Sequence, residues 1–127
     1  MNIFQELQKR GYQITNIGLI NRNRIDGSYQ NYSPYSSDEE YRKDLIQELA
    51  LVIEWLFRQK IVISTDFTDT ESNYGFQYCI SLVGNYEFYD EEMRHKCKEL
   101  WDFTNYFDTP QEATIAAIEY LIENKLI

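Results

Sequence analysis

The sequence predicts an α+β fold: a three-stranded antiparallel sheet with two long helices packed on one face, plus an N-terminal extension. Two segments of the 127-residue chain place apolar residues at helical spacing behind a capping signal, and two segments between them alternate like strands. The composition, 43% hydrophobic and 16% aromatic, is that of a folded chain. We place the extension at residues 1–36 and the α-β-β-β-α core domain at residues 37–127.

The extension is predicted to hold one helix, one strand and a loop. Residues 1–10 gather three apolar side chains on one helix side, and Gly11 follows as a stop signal. Residues 12–25 alternate loosely, which favours a strand. Residues 26–37 are rich in Gly, Ser, Asn, Tyr and Pro, which predicts a loop.

The main helix is predicted from Ser37 to about Gln59. Ser37 and Glu40 have the spacing of a capping box. Apolar residues then cover more than half of the helix circumference: Tyr41, Leu45, Ile46, Leu49, Ala50, Val52, Ile53, Leu56 and Phe57. We expect Val52 and Leu56 to be fully buried. Leu51 and Trp55 lie at the edge of this arc, and if any apolar side chain of this helix is left exposed we expect it to be one of those two.

A hairpin is predicted after the main helix. Residues 60–67 are β-branched, residues 68–73 are polar, and residues 74–83 alternate with large apolar residues on one face. A third strand is placed near residues 99–106. The segment before it, residues 85–98, is ambiguous between a short charged helix and a loop.

The last helix opens with a second capping box, Thr109 and Glu112, with Pro110 at its first position. Its apolar residues span ~200° of the wheel: Ala113, Ile115, Ala117, Ile118, Leu121 and Ile122. Ala117 and Leu121 are expected to be fully buried. If an apolar side chain of this helix is left exposed, we expect it to be Ile115 or Ile122. Glu112, Glu119 and Glu123 share the opposite stripe. Arcs this wide indicate that each long helix touches both the sheet and the other helix.

The element order from Ser37 onward resembles that of the double-stranded-RNA-binding domain. That family opens its final helix with a basic Ser-Lys-Lys-x-Ala-Lys run that holds phosphates. The corresponding residues 109–114 here read TPQEAT, which retains the cap and the alanine but no lysine. The resemblance therefore implies an architecture for residues 37–127 and argues against duplex-RNA binding through this helix.

A second resemblance lies in the ending of the main helix, EWL, the aromatic hairpin, and the closing stretch YFDTPQEATIAAIEYLIENKLI. These look like short uncharacterised proteins of Bacteroidetes phages and mobile elements, which commonly end in a capped helix finishing in Leu-Ile. The resemblance implies a phage or prophage source and carries over no functional residue.

Two groups of side chains have the chemistry of metal ligands: Glu91, His95 and Glu99 at helical spacing, and Asp66, Asp69 and Glu71 at the hairpin turn. The first group lies in a charged segment typical of a solvated face, and the second lacks the calcium-loop pattern and its glycine. His95 is the single histidine, and Cys97 is too close in sequence to face it on a helix. We therefore predict no metal, no cofactor and no enzymatic activity.

Charge is unevenly spread in this chain of net charge −9. The stripe of Glu112, Glu119 and Glu123 is the surface that we expect to bind a basic protein partner, or to mimic nucleic acid towards such a partner. The first 30 residues carry a cationic excess. The N-terminal segment could instead bind nucleic acid through five residues: Arg22, Arg24, Tyr29, Tyr32 and Tyr35.

The function predicted from these observations is a small non-enzymatic acidic binding module, a phage or mobile-element accessory protein that acts by protein–protein contact. The alternatives are nucleic-acid binding through the N-terminal segment and a structural role in virion assembly. No signal peptide or membrane span is recognisable, and the two cysteines form no CxxC pair, so we expect a cytoplasmic protein that is a monomer or a weak homodimer.

Overall fold

The computed structural model describes residues 1–23, 37–83, 98–101 and 105–127 of the chain. These residues form seven elements: α1 (Ile3–Lys9), α2 (Gly18–Asn23), α3 (Asp38–Arg58), β1 (Ile61–Asp69), β2 (Tyr74–Leu82), β3 (Lys98–Trp101) and α4 (Pro110–Glu123). The class is α+β, as predicted. The central strand β2 runs antiparallel to β1 on one side and to β3 on the other.

The predicted three-stranded antiparallel core is wrong. The extended part of the sheet is the two-stranded pair of β1 and β2, nine residues each and in register over their whole length. On the other side of β2, β3 contributes only four residues, and Phe107 forms an isolated bridge with Phe76. Of the predicted strand over residues 99–106, residues 99–101 lie in β3, residues 102–104 lie outside the described residues, and residues 105 and 106 are not in a strand. Alternation in a sequence indicates a strand, but the partner strand and the following helix cap decide how far it pairs.

Residues 1–23 contribute side chains to the apolar core. Phe4, Leu7 and Leu19 are fully buried, in the same apolar cluster as the long helices and the hairpin. Arg10 also donates from Nε to the backbone carbonyl of Ile127 at 3.2 Å, which holds α1 against the chain end after α4. α1 packs against α4 and α2 packs against α3, so both cover apolar surface of the long helices. Residues 24–36 lie outside the described residues, so a domain boundary at residue 36 stays a prediction.

The predicted strand over residues 12–25 is also wrong, because Gly18–Asn23 is the helix α2. Leu19 and Ile20 are both buried although they are adjacent. Neighbouring residues on a strand point to opposite faces, whereas neighbours on a helix can both lie within one buried arc. The loose alternation suggested the two-residue period of a strand, whereas residues 18–23 have the period of a helix.

Both long helices begin where their caps predict. The N–H of Glu40 donates to Oγ of Ser37 at 3.2 Å, and the N–H of Glu112 donates to Oγ1 of Thr109 at 3.1 Å. The four residues expected to be fully buried are so: Val52, Leu56, Ala117 and Leu121. Together with Ile61, Ile63, Tyr78 and Ile80, which alternate onto one face of the hairpin, they belong to a single apolar cluster.

The apolar arc of α3 is only partly buried. Leu51 is 42% exposed, as expected, and Trp55 is half-buried. However, Ile46 and Phe57, which the sequence assigned to the same arc, are 45% and 63% exposed. The core therefore covers the middle of the arc and leaves apolar side chains exposed on both sides of it.

Candidate functional site

A buried carboxylate organises the N-terminal half of the molecule. Glu48, in the middle of α3, has no solvent-exposed surface. Its Oε1 accepts hydrogen bonds from the backbone N–H groups of Thr15 at 3.0 Å and Asn16 at 2.7 Å, and from Nδ2 of Asn16 at 3.2 Å. Its Oε2 accepts from the Tyr12 hydroxyl. We call these four residues the Glu48 cluster.

The end of α1 brings these donors to the carboxylate. Gly11 has a φ of +96°, a left-handed conformation that glycine adopts without strain, and the N–H of Tyr12 bonds back to the carbonyl of Leu7 at 3.0 Å. The chain therefore turns sharply and crosses α3 at Glu48. Burial, together with the hydrogen bond to Glu48, raises the pKa of Tyr12 far above its usual value. Tyr12 thus stays neutral and remains a donor.

The Glu48 cluster is a structural feature rather than a reactive one. Each carboxylate oxygen already has its donors, and burial of a charge is tolerated when it is hydrogen-bonded in this way. The sequence contains a signal for the Glu48 cluster. Glu48 lies three residues after Leu45 and four before Val52, inside the apolar stripe of α3, where a carboxylate requires partners.

A groove lies beside this cluster, between the segment of residues 11–15 and the outer side of α3. The ring of Trp55 packs edge-on against the ring of Tyr12, with the centroids 5.5 Å apart. Trp55 and Leu51 provide the apolar lining of a cavity of about 310 Å³, and Glu54 and Arg58 lie at its rim, joined by a 2.9 Å salt bridge. We call this feature the α3 groove. Its lining includes Leu51 and Trp55, the two residues that the sequence left at the edge of the arc.

An aromatic cluster occupies the end of the hairpin. Phe67 lies 5.3 Å from Tyr74 and 5.0 Å from Phe76, measured between ring centroids, and Phe67 and Tyr74 are largely exposed. The acidic residues that were considered as calcium ligands flank this cluster and are exposed: Asp66, Asp69 and Glu71. Asp66 and Asp69 are separated by three positions on β1 and so point to opposite faces of the strand.

The predicted acidic stripe lies on α4. Glu123 is exposed and Glu119 is half-buried. Glu112 is exposed, but its carboxylate accepts a 3.1 Å hydrogen bond from the N–H of Asp108, so it also serves the helix cap. The role of the stripe of Glu112, Glu119 and Glu123 as a site for a protein partner is not tested by this geometry and stays a prediction.

The predicted nucleic-acid site falls almost entirely outside the described residues. Arg22 lies in α2, where its side chain is not described, and the other four members are not described at all: Arg24, Tyr29, Tyr32 and Tyr35. Glu91, His95 and Cys97 are outside the described residues as well. Among the residues that are described, no group of three or more His, Cys, Asp and Glu side chains could hold a metal ion. None of the described helices is long and apolar enough to cross a membrane.

Comparison of the chain with protein-family models, with curated proteins and with solved structures gave no match. The resemblances to the double-stranded-RNA-binding domain and to phage proteins therefore stay predictions. Arguments about function rest on the surfaces described above.

Proposed function

We propose that the protein is a small non-enzymatic binding module, an accessory protein of a phage or mobile element, that acts by protein–protein contact in the cytoplasm. The observation that carries this proposal is the α3 groove. It combines an apolar floor, Leu51 and Trp55, with a charged rim, Glu54 and Arg58. Protein interfaces commonly have this arrangement, and tryptophan is one of the side chains that most often dominate their binding energy.

The groove also has a rigid base. Tyr12, which supports the Trp55 ring, is fixed in turn by its hydrogen bond to the buried Glu48. A pre-formed apolar site loses little conformational entropy when a partner binds. Groups that could carry chemistry are absent from this part of the described surface, since the Glu48 carboxylate is buried and fully hydrogen-bonded.

The partner that this surface suits is a basic protein. The chain carries a net charge of −9, and Glu119 and Glu123 add negative charge on the outer side of α4. Complementary charge accelerates association and selects against acidic partners. In this proposal the groove supplies the apolar anchor for the partner, and the stripe of Glu112, Glu119 and Glu123 attracts it.

The proposal is tested by capture from host lysate with three forms of the protein: the natural chain, Leu51→Glu, and Glu119→Lys with Glu123→Lys. Proteins that are enriched are then purified and their binding is measured by calorimetry. We expect a basic partner whose affinity falls at least tenfold with Leu51→Glu and whose association slows with the double charge reversal. Ile46→Glu, an equally exposed aliphatic position on the other side of α3, is the matched control. A partner that binds all forms equally, or no specific partner, contradicts the proposal.

A further inference from the structure

A second apolar surface runs along α3, away from the groove. It consists of four residues: Ile46, Ala50, Ile53 and Phe57, which we call the α3 seam. Ile46 and Phe57 are 45% and 63% exposed, Ala50 is exposed, and Ile53 is half-buried. At 100° per residue the seam lies about 150° from Leu51 and Trp55, so the two surfaces are on different sides of the helix.

The spacing of the seam is that of a helix-pairing surface. Its members are four, three and four residues apart, and Glu39 and Lys43 extend the same alternation towards the start of α3. Apolar residues at alternating steps of three and four form the contact line between two paired helices. A helix that only covers a sheet does not require such a line on its exposed side.

The charges of α3 indicate which helix would pair with the seam. Its first turn is acidic and exposed, with Asp38, Glu39 and Glu40, whereas the exposed Lys60 follows its end. Arg58 is paired with Glu54 at the α3 groove, on the other side of the helix. A second α3 placed antiparallel would bring each acidic end opposite a basic end. A parallel second copy would place like charges together, which is destabilising.

The central position of the seam fits a two-fold axis. Ala50 lies near its middle, and a small side chain there allows two helix axes to approach closely. About an axis at Ala50, Ile46 of one copy meets Ile53 of the other. Lys43 meets Phe57 of the other copy, a contact in which an ammonium group can lie over an aromatic ring.

We propose that α3 pairs antiparallel with α3 of a second copy of this chain, through the α3 seam and about a two-fold axis at Ala50. The apolar part of the seam spans about 17 Å of helix at 1.5 Å per residue, so the interface is smaller than the ~1,200–2,000 Å² typical of stable complexes. The dimer is therefore weak and concentration-dependent. It leaves the α3 groove accessible, so the inference is independent of the proposed function.

Sedimentation over a range of concentrations tests the location of the interface. We expect reversible dimerisation of the natural chain, at least tenfold weaker dimerisation for Ile46→Glu, and unchanged dimerisation for Leu51→Glu. The two substitutions introduce the same charge at similarly exposed aliphatic positions on one helix. A natural chain that stays monomeric at millimolar concentration overturns the proposal. So does a dimer that Leu51→Glu disrupts and Ile46→Glu does not.

Cross-linking tests the orientation. A tagged Ile46→Cys chain and an untagged Ile53→Cys chain, both carrying Cys97→Ser, are mixed and oxidised gently; the remaining Cys79 is buried. Antiparallel pairing predicts that the mixed disulfide between the two variants is the main product, because positions 46 and 53 face each other across the axis. Homodimeric disulfides without the mixed species would indicate parallel pairing and overturn the proposed geometry. A failure to cross-link in either combination would overturn the seam as an interface.

Discussion

Replacing the buried Glu48 by alanine removes the acceptor for four hydrogen bonds at once. We expect it to lower the free energy of unfolding more than single changes at exposed or partly exposed positions of α3. The Tyr12 hydroxyl, on a side chain that is only 6% exposed, loses a charged partner in the interior. Such a loss costs about 1.5–3 kcal/mol. The N–H groups of Thr15 and Asn16 are nearer the surface and can recruit water, so they add only about 1 kcal/mol together.

The expected total for Glu48→Ala is therefore about 2.5–4 kcal/mol, a large part of the ~5–15 kcal/mol that holds a domain of this kind together. For a chain of this length it corresponds to a decrease in Tm of about 10–15 °C. Glu48→Gln retains an oxygen for the two backbone donors and loses mainly the charge, so it should cost about 1–2 kcal/mol. Urea denaturation followed by circular dichroism measures both changes.

Glu54→Ala is the matched control, because Glu54 lies on the same helix and makes only an exposed salt bridge with Arg58. We expect it to change the free energy of unfolding by less than about 0.5 kcal/mol. If Glu48→Ala were also within about 1 kcal/mol of the natural chain, the hydrogen bonds of the Glu48 cluster would not contribute as this reasoning requires. A double-mutant cycle with Tyr12→Phe then isolates the energy of the Tyr12–Glu48 pair.

Three further changes have defined outcomes. Gly75→Ala should lower the free energy of unfolding, measured by urea denaturation, by about 2–3 kcal/mol, because φ is +133° and the new Cβ would lie 2.8 Å from a backbone oxygen. Gly11 also has a positive φ but has open space around it, so Gly11→Ala should lower it by only about 1 kcal/mol. Equal losses for the two variants would refute the steric argument. Thr109→Ala removes a helix cap and should cost about 1 kcal/mol, whereas Thr109→Ser should be nearly neutral in the same assay. Because the pKa of Tyr12 is raised in the folded state, Tyr12 keeps its proton there at a pH at which the unfolded chain has lost it. The free energy of unfolding should therefore fall as pH rises past about 10. An equally steep fall in a Tyr12→Phe chain would contradict this.

The sequence was most informative where a local signal determines a local structure. The caps at Ser37 and Thr109 and the alternation of the hairpin predicted α3, α4, β1 and β2 closely, because each depends on residues that are neighbours in the chain. The length of the third strand was not predictable in this way, since pairing with β2 depends on a distant partner.

The candidate site was predictable only in part. Leu51 and Trp55 were placed correctly at the edge of the apolar arc, because helix geometry alone determines which residues share a side. The other wall of the groove was missed. It depends on Glu48 holding a loop more than 30 positions earlier in the chain, a contact that periodicity does not contain. The pattern showed that the apolar arc of α3 was too wide for one sheet, but not that α2 covers part of it.

The contact between α1 and the end of the chain has a consequence for the order of folding. Arg10 and Ile127 are separated by 117 positions, and α1 packs against α4 as well as α2. At a synthesis rate of about 5–20 residues per second, α1 waits about 6–23 s before its last partner has been made. During this time Ile3, Phe4 and Leu7 have no complete core to enter, although α3 and the hairpin can already associate. α1 thus docks only after α4 has been made, so its apolar side chains are exposed in the nascent chain and buried in the folded protein.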